Sequence, residues 1–432
     1  MTRAGAAAPD CPMAVDDEPV TAAGTPRFRG RRAAMVVFSY YPADPRPRRA
    51  AEALVKEGMS VELICLREAG GDPKRERVNG VDVHRVRLRR RRGGSLGYLL
   101  QYAAFLAAVG GILGARSLRR RYDLVYVHNM PDVLVLGALV PKLFGAKVIL
   151  DLHDPMPELM MTIFDLVEDS PRVRLLKRLE RWSIRRADLA LTVNLACKKL
   201  FASRSCRAEK MRVVMNAPDE QIFRFRPATT EVPARPRTGR PLVVMYHGSL
   251  VERNGLDLAV EAVARVRERG HIGAVELRVY GPETPFLARV MESVRVRGLT
   301  DAVRYLGPKR LEGIVEAIED CDVGIIPNQR SIFTELNTPT RIFEYLAIAK
   351  PVIAPRTAGI LDYFDDDSLV FFELGDAEDL ARAIERALAD PRKTEEMVRR
   401  GQEVYRAHAW RREREVLVGL VEEVVSRGGR RH

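Results

Sequence analysis

The sequence predicts an α/β protein with two doubly wound, Rossmann-like domains that face each other across a cleft. Short apolar runs alternate with amphipathic segments in two separate sets, an alternation that is typical of parallel sheets. Between the sets, residues 226–240 are rich in proline and lack apolar periodicity, which predicts a linker. A chain of 432 residues is long enough for two such domains, each with its own core.

These observations divide the chain into five parts. Residues 1–31 are rich in Ala, Pro and Gly and are expected to form a disordered tail. They lack an apolar core segment, so no cleavable signal peptide is expected. A first domain over 32–225, the linker, a second domain over 241–405 and a C-terminal helix over 406–432 follow.

The first set opens with an apolar strand over Ala33–Ser39 and a helix over Arg48–Glu57. In open parallel sheets, ligands bind at the carboxyl ends of the strands. The connecting loop is therefore expected to line the cleft. Its candidate ligand-contacting residues are Tyr41, Asp44 and Arg46.

A long apolar segment, Ser95–Gly114, lies between the arginine runs Arg89–Arg92 and Arg119–Arg121. Three interpretations remain open: a membrane span, a buried crossover helix, or a helix lying in a membrane interface. A span would remove the crossover before the next strand, Leu124–Val127. The arginines favour the other two interpretations because they offer anchors to lipid phosphates.

Polar side chains follow two neighbouring strands of this set. The strand Leu124–Val127 is followed directly by His128 and Asn129, and the buried strand Lys147–Leu150 is followed by the loop Asp151–Glu158. Adjacent strand ends share one edge of a sheet, so these side chains are expected on one rim of the cleft. The alternative for each imidazole is a structural role as a buried histidine whose hydrogen bonds are made within the core. The rim candidates are His128, Asn129, His153, Asp154 and Glu158.

The second set begins with a strand over Pro241–His247 and continues into the loop Gly248–Gly255. Gly248 and Ser249 allow close approach of a ligand to the backbone, and Arg253 can reach a phosphate. No Walker motif and no GxGxxG fingerprint is present.

The segment Asn337–Pro355 predicts a loop, a helix and a buried strand. Pro339 suits a first helical turn, and Asn337 or Thr338 is expected to cap it. Apolar residues then recur at helical spacing, so one face of the helix is core.

Glu344 lies among these apolar residues, where a charge is costly unless it is paired or hydrogen-bonded. A helix N-terminus beside Thr340 and Arg341 is a natural phosphate site. One turn further on, a carboxylate can accept hydrogen bonds from two sugar hydroxyls. The segment therefore predicts a site for a sugar nucleotide. A structural ion pair between Glu344 and Arg341 is the alternative.

The run Pro339-Thr-Arg-Ile-Phe-Glu-Tyr-Leu-Ala, followed by Lys350-Pro-Val-Ile-Ala-Pro, resembles the donor-binding signature of family-4 retaining glycosyltransferases. The stretch from Tyr126 to Glu158 resembles the same branch. The resemblance implies the GT-B fold, in which the final helix returns to the first domain. It implies that the nucleotide ribose binds at Glu344, and it aligns the family's first glutamate with Leu336, which is not acidic.

The resemblance also implies roles for other residues. Arg253 matches the basic contact to the donor diphosphate, and Gly281 matches a turn that lines the donor. His153 matches a histidine near the donor sugar and the acceptor hydroxyl. With Asp154 and Glu344, it completes the predicted catalytic set. The donor-binding set is Gly248, Ser249, Arg253, Gly281, Thr340, Arg341 and Glu344.

Charge and cysteine content indicate which kinds of binding partner to expect. The formal net charge is +13, which fits a solvated basic surface, nucleic acid or an anionic membrane, but no RNA-binding or zinc-finger motif is present. Five scattered cysteines without a CxxC indicate neither a zinc ribbon nor a disulfide framework. We therefore expect no metal, no nucleic acid and no cofactor beyond the nucleotide-sugar co-substrate. The expected location is cytoplasmic, with peripheral contact to the inner face of a membrane.

The predicted function is transfer of a sugar from a nucleotide-sugar donor, held by the second domain, to a hydroxyl of an acceptor glycan or lipid-linked sugar held by the first. The predicted acceptor-side residues are Tyr41, Asp44, Arg46, His128, Asn129 and Glu158. Retention of configuration and a role in envelope polysaccharide or glycolipid synthesis are expected by analogy. The alternative is a non-catalytic protein of the same fold that binds nucleotide sugars or acts as a scaffold at the membrane.

Overall fold

The computed structural model describes residues 26–68, 72–88, 95–228 and 240–426. The first domain contains strands β1 (Arg32–Val36), β2 (Ser60–Leu66), β3 (Arg75–Val78), β4 (Val81–Val86), β5 (Leu124–His128), β6 (Lys147–Leu152), β7 (Leu189–Thr192) and β8 (Met211–Val213). They form one sheet in the order β3-β4-β2-β1-β5-β6-β7-β8, in which the β3–β4 pair is antiparallel and every other pair is parallel.

The second domain contains strands β9 (Leu242–His247), β10 (Val275–Tyr280), β11 (Val303–Tyr305), β12 (Val323–Ile325), β13 (Val352–Pro355) and β14 (Val370–Phe372). They form a parallel sheet in the order β11-β10-β9-β12-β13-β14. Strand order reverses between β1 and β5 in the first sheet and between β9 and β12 in the second. Crevices at such switch points are where open α/β sheets bind ligands. The predicted pair of doubly wound domains is confirmed.

Helices cover both faces of each sheet. Those of the first domain are α1 (Pro45–Lys56), α2 (Ser95–Arg119), α3 (Leu139–Leu143), α4 (Met156–Phe164), α5 (Pro171–Arg186) and α6 (Leu195–Arg204). Those that follow are α7 (Leu256–Arg269), α8 (Pro285–Val296), α9 (Leu311–Glu319), α10 (Ile332–Leu336), α11 (Thr340–Ala347), α12 (Ala358–Leu361), α13 (Ala377–Ala389), α14 (Pro391–Ala407) and α15 (Trp410–Ser426).

Side-chain caps fix where several helices begin. The side chains of Asp44, Ser170, Asn194 and Thr284 each accept a backbone N–H from the first turn of α1, α5, α6 and α8, respectively. In α1, α5 and α8 a proline occupies the first helical turn, where its missing N–H is not needed. Each cap contributes about 1 kcal/mol to stability.

The C-terminal helix returns to the first domain, as predicted. Leu417, Val418 and Val421 of α15 are buried in the core that α1 and the first sheet form. Trp410 is partly buried against that core, with the Arg49 guanidinium 5.4 Å from the centre of its ring. The two domains are therefore joined by α15 as well as by the linker.

The structure corrects several sequence predictions. Phe28 is buried in the first core, so residues 26–31 belong to the domain and not to a disordered tail. The stretch Pro131–Phe144, followed by Gly145, predicts one helix, but the structure has a 3₁₀-helix, Asp132–Ala138, followed by the short α3. Helix α2 is a crossover helix, but only one of its faces is buried. The remaining tail, the linker core 229–239 and the arginine run 89–92 lie outside the described residues.

Candidate active site

Helix α11 carries the predicted donor-binding glutamate. Pro339 occupies its N-cap position and makes no side-chain cap, so the expected capping by Asn337 or Thr338 is wrong. Thr338 is turned elsewhere: its hydroxyl donates to the Gly359 carbonyl at 2.6 Å. The first backbone N–H groups of α11 are thus left without a capping side chain, which suits an anionic ligand.

Glu344 lies one turn further along α11. Its side chain is 16% exposed, and its helical neighbours Phe343 and Tyr345 are fully buried. Burial raises the pKa of the Glu344 carboxyl to about 7, although Arg341 and Arg49 favour the ionised form. Within the described chain, no hydrogen bond reaches this carboxyl. A polar group so placed has the capacity to accept donors from a ligand.

The alternative of an ion pair between Glu344 and Arg341 is not what the structure contains. The Arg341 guanidinium donates to the His247 carbonyl at 2.8 Å and lies 4.7 Å from the centre of the Tyr246 ring. The imidazole of His247 places Nε2 3.4 Å from Glu344 Oε2. Burial and the charge of Arg341 lower the pKa of His247 to about 3, so this contact involves a neutral imidazole and not an ion pair.

Three glycines shape the loops after β9 and β10. Gly255 has φ +69°, and an added Cβ would lie 1.8 Å from the Pro327 carbonyl oxygen. A Cβ on Gly281 would lie 2.2 Å from the carbonyl oxygen of Gly248, which itself has φ +119°. Only glycine permits these backbone approaches. They bring the ends of β9, β10 and β12 together beside α11, while Ser249 between them is exposed.

Arg253 of this loop faces the first domain. Burial lowers the pKa of its guanidinium, and the carboxylate of Asp154 opposes that change. Its guanidinium carbon is 5.9 Å from the centre of the Phe333 ring. Arg253 also lines a cleft of about 680 Å³ between α4 and the second domain, together with Met161 and Arg330. The structure therefore places Arg253 in an interdomain cleft. Asp154 does not line that cleft, but its charge acts on the Arg253 guanidinium.

A buried ion pair organises the opposite rim. Arg46 binds Asp151 through Nε and Nη2, the shortest distance being 2.7 Å, and also donates to the Val214 carbonyl. Tyr126 donates to Asp151 at 2.8 Å, and His128 Nδ1 lies 3.4 Å from it. Burial disfavours the Asp151 charge, but Arg46 and His128 outweigh it and hold the pKa of Asp151 well below its usual range. Arg46 and His128 therefore shape this rim from inside the domain.

The loop after β6 presents His153 and Asp154. The backbone N–H of His153 donates to Asn129 Oδ1 at 3.1 Å, and Asn129 Nδ2 donates to the Asp154 carbonyl at 2.7 Å. The amide of Asn129 thereby fixes the loop between the two strand ends. The His153 side chain is partly exposed, and its Nδ1 has no hydrogen-bond partner in the described chain.

Like Arg46, His128 and Asn129, the three other predicted acceptor-side residues are held in contacts within the first domain. Tyr41 is buried in the first core. Asp44 accepts the Ser39 hydroxyl at 2.7 Å and caps α1. Glu158 is buried and accepts two hydrogen bonds from Arg204. Sequence position at a strand end did not reveal the partner of Glu158, because Arg204 lies on another element, α6.

Sequence reasoning missed two residues at this interface. Asn194 caps α6 and its Nδ2 also donates to the Leu336 carbonyl at 2.8 Å and to the Thr338 hydroxyl at 3.0 Å. Arg49 of α1 is buried, and its charge acts on Glu344. A capping pattern at the start of α6 is visible in the sequence, but its contact with the other domain is not.

The described residues contain no group of three or more His, Cys, Asp or Glu side chains that could hold a metal ion. Cys65, Cys197, Cys206 and Cys321 are free thiols. The absence of a metal requirement stays a prediction.

Two domain families match the chain. The glycosyl transferase 4-like domain matches residues 43–217, and the glycosyl transferases group 1 domain matches residues 241–390. Their junction falls at the linker between the two sheets.

Individual proteins match over different lengths. A protein of Escherichia coli named for colanic acid biosynthesis, WcaL, is 26% identical over 206 residues, which is 48% of this chain and 48% of that protein. The chain thus aligns with about half of that relative. The 2-deoxystreptamine glucosyltransferase of Streptomyces kanamyceticus is 26% identical over 373 residues, 82% of this chain and 92% of that protein.

Solved structures share the fold. Sucrose-phosphate synthase from Thermosynechococcus elongatus superposes with a TM-score of 0.73 at 18% identity, covering 92% of this chain and 100% of that one. Anabaena HepE in complex with UDP-glucose superposes with a TM-score of 0.66 at 18% identity, covering 91% and 99%.

Proposed function

We propose that this chain, which belongs to the GT-B glycosyltransferases, is a family-4 enzyme. It moves a sugar from a nucleotide-sugar donor to an acceptor hydroxyl and retains the anomeric configuration. The observation that carries the proposal is Glu344. Its carboxyl is nearly buried, receives no hydrogen bond from the described chain and lies one turn from an uncapped helix N-terminus. Paired ribose hydroxyls would supply the missing donors, and a diphosphate would fill the helix end.

The donor would be held mainly by the second domain. Arg253 and the first turn of α11, beginning at Thr340, would bind the diphosphate, and the loop at Gly248 and Ser249 would lie against it. Arg341 keeps the end of β9 in place through the His247 carbonyl and adds positive charge. The chain thus offers an arginine and a helix dipole where the leaving group gains charge.

In the proposed reaction, the acceptor hydroxyl attacks the anomeric carbon as the bond to the diphosphate breaks. The hydroxyl proton passes to an oxygen of the leaving diphosphate. His153 and Asp154, held by Asn129 at the rim, would orient the acceptor and the donor sugar. The charge that develops on the diphosphate is met by Arg253, so no step requires a metal.

The acceptor is proposed to be a glycan or a lipid-linked sugar of envelope polysaccharide or glycolipid synthesis, handled on the cytoplasmic side. The relative named for colanic acid biosynthesis supports this setting. The charge of the whole chain supports it as well, because a net charge of +13 suits an anionic acceptor surface.

Calorimetry with a panel of nucleotide sugars tests the donor site, and transfer of labelled sugar to membrane extracts tests the reaction. We expect Glu344→Gln to lose both, whereas the exposed Glu316→Gln on α9 keeps both. EDTA should leave turnover unchanged, and NMR of the product should show retained anomeric configuration. Tight nucleotide-sugar binding without turnover on any acceptor would instead favour the scaffold alternative.

A further inference from the structure

Helix α2 has an apolar outer face that no other described residue covers. Its inner face packs Phe105, Val109 and Leu113 into the core of the first domain. On the opposite face, exposed small and apolar residues recur every three or four positions: Leu100, Ala104, Ala107, Gly111, Ala115 and Leu118. A surface helix normally carries charged or polar side chains on this side.

Large side chains make this face more than a row of small residues. Leu99 and Leu100 are each 63% exposed, and Leu118 is 73% exposed. Helix α3 lies against α2 and adds Leu143, which is 86% exposed. Contiguous exposed apolar surface of this kind marks an interaction site. We call Leu99, Leu100, Leu118 and Leu143 the docking leucines.

The surroundings of the docking leucines are cationic. Arg119, Arg120 and Arg121 are exposed at the end of α2. Helix α5, in the same layer, carries six arginines and one lysine against a single acid, Glu180. That acid is buried and bonded to Arg204, so it does not neutralise the outer surface. Lys177 pairs with Glu168 just before the helix, whereas the six arginines form no salt bridge with the described residues. The surface therefore combines exposed leucines with unbalanced positive charge.

We propose that the docking leucines and the flanking arginines bind the surface of an anionic lipid bilayer, with α2 lying parallel to it. The leucines would enter the acyl region, and the arginines would bind lipid phosphates. Helix α2 is long and apolar enough to span a membrane by length and composition. A span would, however, pull Phe105, Val109 and Leu113 out of the core and break the crossover between β4 and β5.

Charge also decides between a bilayer and a second copy of the chain. A dimer formed through this face would bring the arginines of both copies together, and like charges in contact oppose association. An anionic bilayer offers the complementary charge. This inference does not depend on the proposed enzymatic reaction.

Co-sedimentation of the full chain with lipid vesicles tests the proposal. Vesicles of phosphatidylcholine alone are compared with an equimolar mixture that contains phosphatidylglycerol. We expect binding to the anionic vesicles, weakened at least about tenfold by the double variant Leu99→Glu/Leu143→Glu. The triple variant Arg119→Gln/Arg120→Gln/Arg121→Gln should weaken it about 100-fold at low salt.

The matched control is Val296→Glu in α8, since Val296 is also apolar and 70% exposed but lies in the other domain. It should bind vesicles like the unmodified chain. Unchanged binding of the leucine variant would overturn the proposal, as would failure of the unmodified chain to bind anionic vesicles. A dimer in light scattering that Leu143→Glu dissociates would identify a second copy as the occupant. Nucleotide-sugar calorimetry on the same samples reports the donor site separately.

Discussion

Glu344→Gln should make the ligand-free protein more stable in alkaline solution while removing donor binding. Burial raises the pKa of this carboxyl from 4.5 to about 7. A carboxyl with a higher pKa in the folded chain adds stability below its unfolded pKa and loses that stability as the pH rises through the folded value. At pH 8 the ionised carboxylate therefore costs about 3 kcal/mol, against under about 1 kcal/mol at pH 5.

Comparing the unmodified protein with Glu344→Gln at both pH values isolates the contribution of this carboxyl, because the two proteins share every other titrating group. The stability advantage of Glu344→Gln should grow by about 2.5 kcal/mol between pH 5 and pH 8, or about 5–10 °C in Tm for a domain of this size. Far-UV circular dichroism is the suitable probe. Tryptophan fluorescence is less suitable, because Trp182 in α5 and Trp410 in α15 both pack against the first domain, whereas Glu344 lies in the second. Glu316→Gln is the control, and a stability advantage that is equal at both pH values would refute the reasoning.

The same carboxyl should make donor binding depend on pH. If the ionised form accepts the ribose hydroxyls, affinity for a nucleotide sugar should rise about tenfold between pH 6 and pH 8 and then level off. A nucleotide sugar is the right ligand because, unlike a free nucleotide, it has no terminal phosphate that titrates in this range. An affinity that does not change with pH in calorimetry would contradict the assignment of Glu344.

Three further predictions concern the cleft. Asn194→Ala should lower kcat/KM at least about tenfold, because it removes a cap and two interdomain hydrogen bonds. Ser170→Ala, which removes the cap of α5 alone, should leave steady-state kinetics unchanged. Gly255→Ala should abolish nucleotide-sugar binding in calorimetry, because its Cβ would lie 1.8 Å from the Pro327 carbonyl oxygen. Arg253→Gln should weaken that binding about tenfold to 100-fold by removing a charge-assisted contact to phosphate, and equal affinity would remove Arg253 from the donor site.

The sequence was sufficient to predict those parts of the fold and the candidate site that depend on a local pattern of residues. Alternating strands and helices predicted both sheets, and Glu344 was identified because a charge interrupts an apolar helix face. It was insufficient where a side chain finds its partner on a distant element. Arg46 was expected on the acceptor side, yet it pairs with Asp151, 105 positions away, inside the domain. Glu158 was likewise placed on the rim, but it is bonded to Arg204. No periodicity encodes such pairings, because they depend on how the elements pack.

The interdomain contacts explain how a donor site in one domain can be positioned by the other. Asn194, at the start of α6, bonds to the Leu336 carbonyl. The next residue donates its backbone N–H to the Tyr363 hydroxyl, and Lys199 pairs with Asp362. The contacted segment, from Leu336 to Tyr363, contains α11 and Glu344. Any rotation that separates the domains must break these contacts or carry this segment along. The segment that carries Glu344 is therefore packed in the second domain and tied to the first, and we expect donor binding at Glu344 to depend on contacts with both domains.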